Sequence, residues 1–393
     1  MTTKTGIAEG TLFSTIPVGS LPRPQWVGEL IAERKAGAIG ISEADELLDD
    51  AVPLAIRLQE RAGLDVVSDG EWRRTHYSKI FAECVEGFAP NIVPNAGARI
   101  GERRAAPART ADPGVVSELR QIRPIATREA EFLRNHTDHP IIVALPSPYT
   151  LAHRMWSAEH SVNAYATREA FMDAIIPIIR DECYELAKLG VDAIQIDNPW
   201  PPIKIEANLD QSTSPSPSSW ASKEGEIAEE LDREAELCVK CVNGAVEGIS
   251  DVFLNLHVCH TRGHTTRESY DVIIGVLDQM NIDRFALEFA TPLEGVTEGL
   301  KNFPQDKILG LGVIHPFDPN VETPEQIADI AEKALKYVPK ERITLNPNCG
   351  FAPGVSSKKR RTTGTNIPVD LDGAYLKLQA MSQGAELLRE RHG

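Results

Sequence analysis

Four residues from three separate stretches of the chain carry the side chains of a divalent-metal site: His257 and Cys259 in His257-Val-Cys-His260, then Glu288, then Cys349 in Asn346-Pro-Asn-Cys-Gly350. Imidazole nitrogen, thiolate sulfur and carboxylate oxygen all suit Zn2+, and a catalytic zinc keeps one position exchangeable for water or substrate. His257 and Cys259 stand two apart at the end of the apolar run Asp251-Val-Phe-Leu-Asn-Leu256, so a strand there would turn both toward one face. A free thiol has a pKa of about 8.5 and is only a few per cent ionised at neutral pH. Coordination would hold it as the thiolate, and two Cys ligands with a Glu would keep that sulfur electron-rich enough to attack an alkyl carbon. Glu288, the one oxygen ligand, is expected to be displaced most readily when substrate sulfur arrives. Each assignment has a plainer alternative: Cys349 as a small buried hydrophobe, His257 as a satisfied core histidine, Glu288 as a salt-bridge partner.

Placing these residues together requires a scaffold, and the chain's periodicity describes one. Short β-branched runs alternate with longer amphipathic stretches, as in βα units on a parallel sheet. Strand candidates end near Val18, Val67, Leu145, Ile196, Leu256, Phe289, Val313 and Leu345, with helical stretches such as Arg168 to Leu189, Lys223 to Val246 and Pro324 to Tyr337 between them. The last begins with Thr323 as N-cap, Pro324 at the first helical position and an acid in the first turn, a helix-start signature. Eight strands with intervening helices predict an α/β fold, a TIM (β/α)8 barrel forming a single domain over residues 1–393, whose active site lies at the C-terminal strand ends. Those ends carry Gly19-Ser20, Asp69-Gly-Glu71, Pro146-Ser-Pro148, Asp197-Asn-Pro199, His257-Val-Cys259, Glu288, His315 and Asn346-Pro-Asn-Cys349. Scattered surface polarity would not place nearly every unusual polar string at these positions. Two stretches depart from the pattern: an irregular insertion near 90–110 with Arg99, Arg103, Arg104 and Arg109, and a Ser/Pro-rich loop near 209–222 expected over the catalytic face or as an inert surface insertion.

Composition narrows the partners. With 42% hydrophobic and 25% charged residues the chain reads as an ordinary globular enzyme. A net charge of -16 argues against nucleic acid or an anionic membrane as partner, leaving small molecules. No apolar run approaches the 18 residues of a membrane span, and Met1-Thr-Thr-Lys-Thr-Gly6 lacks a signal-peptide core, so the cytoplasm is the expected location. Six cysteines in a chain of this length do not make a disulfide framework. Cys238-Val-Lys-Cys241 has zinc-site spacing, yet it lies inside a helical pattern with no second pair and is expected to pack within a helix. Cys84 and Cys183 are expected to be inert.

The strings together resemble the catalytic C-terminal half of cobalamin-independent methionine synthase and its single-barrel relatives, among them the epoxyalkane:coenzyme M transferases. The resemblance covers roughly Thr15 to Gly384. It rests on Val18-Gly-Ser20, Gly63-Leu-Asp-Val-Val-Ser-Asp-Gly-Glu71, Ile194-Gln-Ile-Asp-Asn-Pro199, His257-Val-Cys259, Leu287-Glu288, Val321-Glu-Thr-Pro-Glu325 and Asn346-Pro-Asn-Cys-Gly350. It implies a TIM barrel that binds zinc through His257, Cys259, Glu288 and Cys349. It also implies that Ser20, Glu71 and Asp197 bind the amino-acid thiol. Three departures stand out. The N-terminal barrel of the full-length synthase has no counterpart in this sequence. The usual Asp-Glu-Pro of the fourth strand is Asp197-Asn-Pro199. Aligning Pro319-Asn-Val321 places Phe317 where the synthase has a histidine, with His315 two residues before it.

Other residues are candidates to line the pocket. Tyr149 and Trp156, with His153, could stack on a flat donor or pack in the core. His260, Arg262 and His264 follow the presumed ligand pair, where Arg262 and Arg267 could read a substrate anion. Lys358-Lys-Arg-Arg361 follows the eighth strand, where barrel enzymes often bind anions. Glu71 and Asp197 could instead pair with Arg73 and Arg74. The reading is a zinc-dependent transferase moving an alkyl group, methyl foremost, from a folate or other donor to a homocysteine-type thiol. Epoxide opening by a thiol such as coenzyme M is the alternative. A zinc hydrolase, or a barrel holding zinc for stability alone, stands further off.

Overall fold

In a computed structural model, residue 7 and residues 10–93, 112–198, 224–258, 274–290, 296–351 and 370–393 are described. Six parallel strands form one sheet in chain order: β3 (Ile142–Pro146), β4 (Ala193–Asp197), β5 (Phe253–His257), β6 (Arg284–Glu288), β7 (Ile308–Ile314) and β8 (Ile343–Pro347). Nearly every strand residue is buried, as expected where helices cover one face and the barrel interior the other. Helices α1 (Gln25–Ala36), α2 (Ile41–Ala62), α3 (Lys79–Cys84), α4 (Thr127–His136), α5 (Pro148–Met155), α6 (Arg168–Lys188), α7 (Glu224–Ala245), α8 (Pro324–Ala334) and α9 (Leu371–His392) complete the architecture. The α8 start is as expected: Thr323 and Gln326 form a reciprocal capping box, with Pro324 in the first turn.

The first two expected strands are reduced to single bridges. Thr15 bridges Leu345 of β8, Val67 bridges Ile141 just before β3, and the Val66 N–H donates to the Thr15 carbonyl at 3.2 Å. Two prolines explain the short pairing, because Pro17 and Pro140 each lack the N–H a longer ladder needs. Side chains take over: Asp65 Oδ2 accepts from both the N–H and the hydroxyl of Thr15 at 2.8 Å, and from Arg389 of α9 at 2.8 Å. The insertion near 90–110 also begins later than expected. Residues 90–93 belong to β1 (Val85–Val93), which pairs antiparallel with β2 (Asp112–Gln121). Residues 94–111, among them Arg99, Arg103, Arg104 and Arg109, and the Ser/Pro-rich stretch 209–222 lie outside the described residues.

Inside the barrel the layers differ in chemistry. Ile16, Val66, Ile142, Ala193, Phe253 and Ile308, one from each of six strand positions, form an apolar floor at the N-terminal end. Two residues further along their strands stand Gln195 and Asn255, and two further still Asp197 and His257; the period of two keeps each set pointing inward. The larger apolar core lies between the sheet and the helices. Cys238 and Cys241 are wholly buried within α7, as the helical pattern required, and burial pushes both thiols up. Cys84 and Cys183 are buried likewise. Among the described residues no helix is long and apolar enough to cross a membrane.

Candidate active site

Strand register decides what meets at the C-terminal end. Asp197 ends β4 and His257 ends β5, and the two are partners in that register. Both are buried, and Nδ1 of His257 lies 3.1 Å from Asp197 Oδ1. Its Nε2 lies 3.4 Å from the backbone carbonyl of Asn348, next to Cys349. Asn348 also reaches the end of β6, where its Oδ1 accepts the N–H of Phe289 at 3.1 Å and of Ala290 at 3.0 Å, directly after buried Glu288. One asparagine thus ties the backbones carrying Glu288 and Cys349 to each other and to the His257 ring. Cys349 itself is partly buried.

The first two loops close onto the same place. The Leu21 N–H donates to the Gly70 carbonyl at 3.0 Å, and Arg23 Nη2 donates to the Glu71 carbonyl at 2.6 Å. Gly19 has to be glycine: its φ is +150° and a Cβ there would sit 2.7 Å from Glu71 Oε1. A Cβ on Gly350, the residue after Cys349, would sit 2.5 Å from the hydroxyl of Ser20, and the Phe351 N–H donates to the Ser20 carbonyl at 2.8 Å. Ser20 therefore lies against the loop that carries Cys349. Glu71 takes a left-handed conformation with φ +57°, the kind of backbone strain that clusters at functional sites.

Electrostatically this is an acidic, dehydrated corner. Burial, opposed by Arg74 and reinforced by Asp197 and Asp69, pushes the Glu71 carboxyl up to about 8. Arg74 does not neutralise it fully. The guanidinium is committed to Glu129, with Nε 2.8 Å from Oε1, and lies 3.9 Å from Glu71 Oε1. Arg73 pairs instead with Asp49 at 2.6 Å.

The remaining pocket candidates divide. Tyr149 is fully buried on α5, and its hydroxyl donates to Glu234 of α7, which also receives Arg168 and lies 2.9 Å from His153 Nε2. Trp156 is partly buried and donates its indole N–H to the Tyr165 carbonyl at 3.0 Å. His315, at the end of β7, is partly buried; its Nδ1 accepts the Phe317 N–H at 3.2 Å, and its own N–H donates to Glu322. Cys259, His260, Arg262, His264, Arg267 and the basic run 358–361 lie outside the described residues. Without Cys259, no three His, Cys, Asp or Glu side chains among the described residues gather closely enough to hold a metal. The chemistry of the donors nevertheless fits zinc: a histidine bearing a carboxylate on its other ring nitrogen is the usual support of a zinc-bound imidazole.

Two groups at this end of the barrel were not singled out by the sequence. Asn348 was visible only as part of a string. Gln195, Asn255 and Arg284 form a polar layer beneath the site, although Ile194-Gln-Ile-Asp197 and Leu254-Asn-Leu-His257 already put Gln195 and Asn255 on the same face as Asp197 and His257.

Comparison with known proteins identifies the family and the fold. The family of cobalamin-independent synthase catalytic domains matches residues 13–365. A methionine synthase of Saccharolobus solfataricus is 29% identical over 385 residues, covering 96% of each chain. One of Thermococcus kodakarensis is 27% identical, covering 96% of this chain and 94% of its own. The solved B12-independent methionine synthase of Shewanella sp. W3-18-1, in complex with selenomethionine, superposes with a TM-score of 0.69 at 24% identity, covering 97% of this chain and 99% of that one.

Proposed function

Because the chain belongs to the cobalamin-independent methionine synthase family, we propose that it transfers a methyl group to the thiol of a small homocysteine-type amino acid. The observation that carries this reading is the meeting of Ser20, Glu71, Asp197, His257 and the Asn348-Cys349 turn at one end of the barrel. His257, Cys259, Glu288 and Cys349 would hold a zinc ion, which when bound lowers the pKa of a thiol brought to it. Asp197 holds the Nδ1 edge of His257 and so keeps the ring turned toward the Cys349 loop. Glu71 and Asp197 together receive the acceptor's ammonium group. Glu71 is buried beside other acids and gains most from a cation, which would bring its raised pKa back down. Ser20 offers a hydroxyl to the polar end of the same molecule. That a relative was solved with selenomethionine supports an amino-acid ligand of this shape. Glu288 would supply the one oxygen donor of that set.

The test measures the zinc content of the purified protein and methyl transfer to homocysteine, coenzyme M and glutathione, with cobalt substitution to report the metal's spectrum. Transfer to homocysteine, with a spectral change on adding it, is the expected result. A metal-free protein with full activity would overturn the zinc assignment. Epoxide opening with coenzyme M, without methyl transfer to homocysteine, would overturn the choice of acceptor and donor.

A further inference from the structure

Barrel interiors are ordinarily filled by branched side chains, yet β7 leaves its inward face bare. It reads Ile308-Leu-Gly-Leu-Gly-Val-Ile314. After Ile308 in the apolar floor, the period of two brings Gly310 and then Gly312 to the same face. Both gaps are filled from β8 and the turn that follows it. Asn346 and Asn348 reach over β7 to β6, two strands away in the sheet. Asn346 Oδ1 accepts from Arg284 Nη2 at 2.6 Å, within a guanidinium that also donates to Thr344 and Asn255. Asn348 Oδ1 accepts the N–H groups of Phe289 and Ala290 at the end of β6. A larger residue would block either crossing: a Cβ on Gly310 would lie 2.5 Å from Asn346 Oδ1, and one on Gly312 2.4 Å from Asn348 Oδ1.

The upper crossing lies between two candidate metal ligands. Gly312 is the register partner of Glu288 on one side and of Asn346 on the other. The Asn348 N–H donates to the Ile314 carbonyl at 2.8 Å, so its main chain is fixed to β7 while its side chain continues to β6. Backbone N–H groups only donate, so the amide must turn its oxygen toward β6. The Phe289 N–H has a second acceptor in the Gly312 carbonyl at 3.1 Å, whereas among the described residues the Ala290 N–H donates to Asn348 alone. Phe289 directly follows Glu288, and Cys349 directly follows Asn348.

We propose that Asn348 is a positioning residue for the metal site: its amide oxygen, passing over Gly312, fixes the Cys349 turn to the Glu288 end of β6, so that a sulfur and an oxygen donor are set in place before a metal arrives. The metal arm of this inference rests on the zinc reading above; the strand bridge does not.

Asn348→Leu and Asn348→Asp test it, since the two side chains are close in size to asparagine and only the aspartate can accept both N–H groups. Zinc affinity is read by chelator competition, and sulfur ligation by the thiolate-to-metal absorption of the cobalt-substituted protein. Asn348→Leu is expected to lose roughly tenfold or more in affinity, as loss of an outer partner of a metal ligand does, and to weaken that absorption. Asn348→Asp should keep both close to wild type. Gly312→Ala, which alters neither Asn348 nor a ligand, should reproduce the loss by pushing the amide aside. Gly310→Ala overpacks the same face of β7 against Arg284 and should leave zinc affinity unchanged. Wild-type affinity in Asn348→Leu would overturn the proposal. So would an equal loss in Gly310→Ala and Gly312→Ala, because general overpacking of β7 then explains it. If Asn348→Leu does not fold, the two glycine variants decide. Should wild type bind no zinc, the zinc reading fails, and amide exchange at Ala290 in metal-free protein decides the bridge: faster exchange in Asn348→Leu but not in Asn348→Asp supports it, and equal rates overturn it.

Discussion

Replacing Glu71 by glutamine should stabilise the protein and weaken acceptor binding, two effects of opposite sign from one group. The folded state holds the Glu71 proton with a pKa near 8 against 4.5 in the unfolded chain, because burial beside Asp197, Asp69 and Glu129 opposes ionisation more than Arg74 favours it. Between those values the folded protein binds more protons than the unfolded one, so stability falls as pH rises through the window. It is fully present below the unfolded pKa and lost on approach to the folded one. Glutamine does not titrate and removes this dependence. Taking the protonated carboxyl as the reference, the ionisation penalty relieved by the substitution is about 1 kcal/mol at pH 5 and grows to about 4 kcal/mol at pH 8. The assay compares unfolding midpoints of substrate-free wild type and Glu71→Gln from pH 5 to pH 8. The two curves should diverge as pH rises, with the variant above, while calorimetry shows weaker binding of homocysteine or selenomethionine to the variant. Parallel curves, or a gap that narrows with pH, would refute the electrostatic argument. Undiminished amino-acid binding would remove Glu71 from the ammonium site. Improved stability at the expense of function is what a destabilised active-site residue produces.

Three further outcomes follow from the same geometry. Asp197→Asn should reduce zinc affinity roughly 10- to 100-fold, as loss of a ligand-supporting carboxylate does; chelator competition measures it, and an unchanged constant would detach Asp197 from the metal. Glu182→Ala should cost roughly 3 kcal/mol or more, because Glu182 Oε1 accepts the N–H groups of Ile125, Ala126 and Thr127 at 2.9, 2.7 and 3.0 Å, and alanine offers none of them an acceptor. Denaturant unfolding and faster amide exchange at the start of α4 would report it. Gly310→Ala should cost about 1–3 kcal/mol by overpacking, because the added methyl meets a guanidinium pinned by three hydrogen bonds; a variant as stable as wild type would mean that the guanidinium can shift aside.

The barrel class was legible because its signal is local. A strand buried on both faces must be an apolar run, a helix must repeat near 3.6, and Thr323-Pro-Glu-Gln326 announces a helix start through backbone chemistry that needs no distant partner. The candidate donors were picked out by a local signal too, since His257, Glu288 and Cys349 are polar residues at or just beyond the ends of apolar runs. The first two strands were overestimated because Pro17 and Pro140 interrupt pairing in a way that composition alone does not weigh.

Spatial relations between distant segments could not be read in this way. That His257 meets Asp197, 60 residues away, and that Asn348 ties the β6 end to the Cys349 loop, are products of register between strands. Tyr149, a pocket candidate by position, is turned into the core by Glu234 on a helix 85 residues later. The polar layer under the site is the clearest case. Gln195, Asn255, Arg284 and Asn346 come from four separate strands, and each in isolation is an odd polar residue in an apolar run. Only parallel pairing in one register brings them into hydrogen-bond range. Periodicity within a segment is written by that segment's own residues and can be read one window at a time. The direction of a hydrogen-bond chain depends on which donors and acceptors the whole fold brings within 3 Å, and that was decided by the tertiary structure alone.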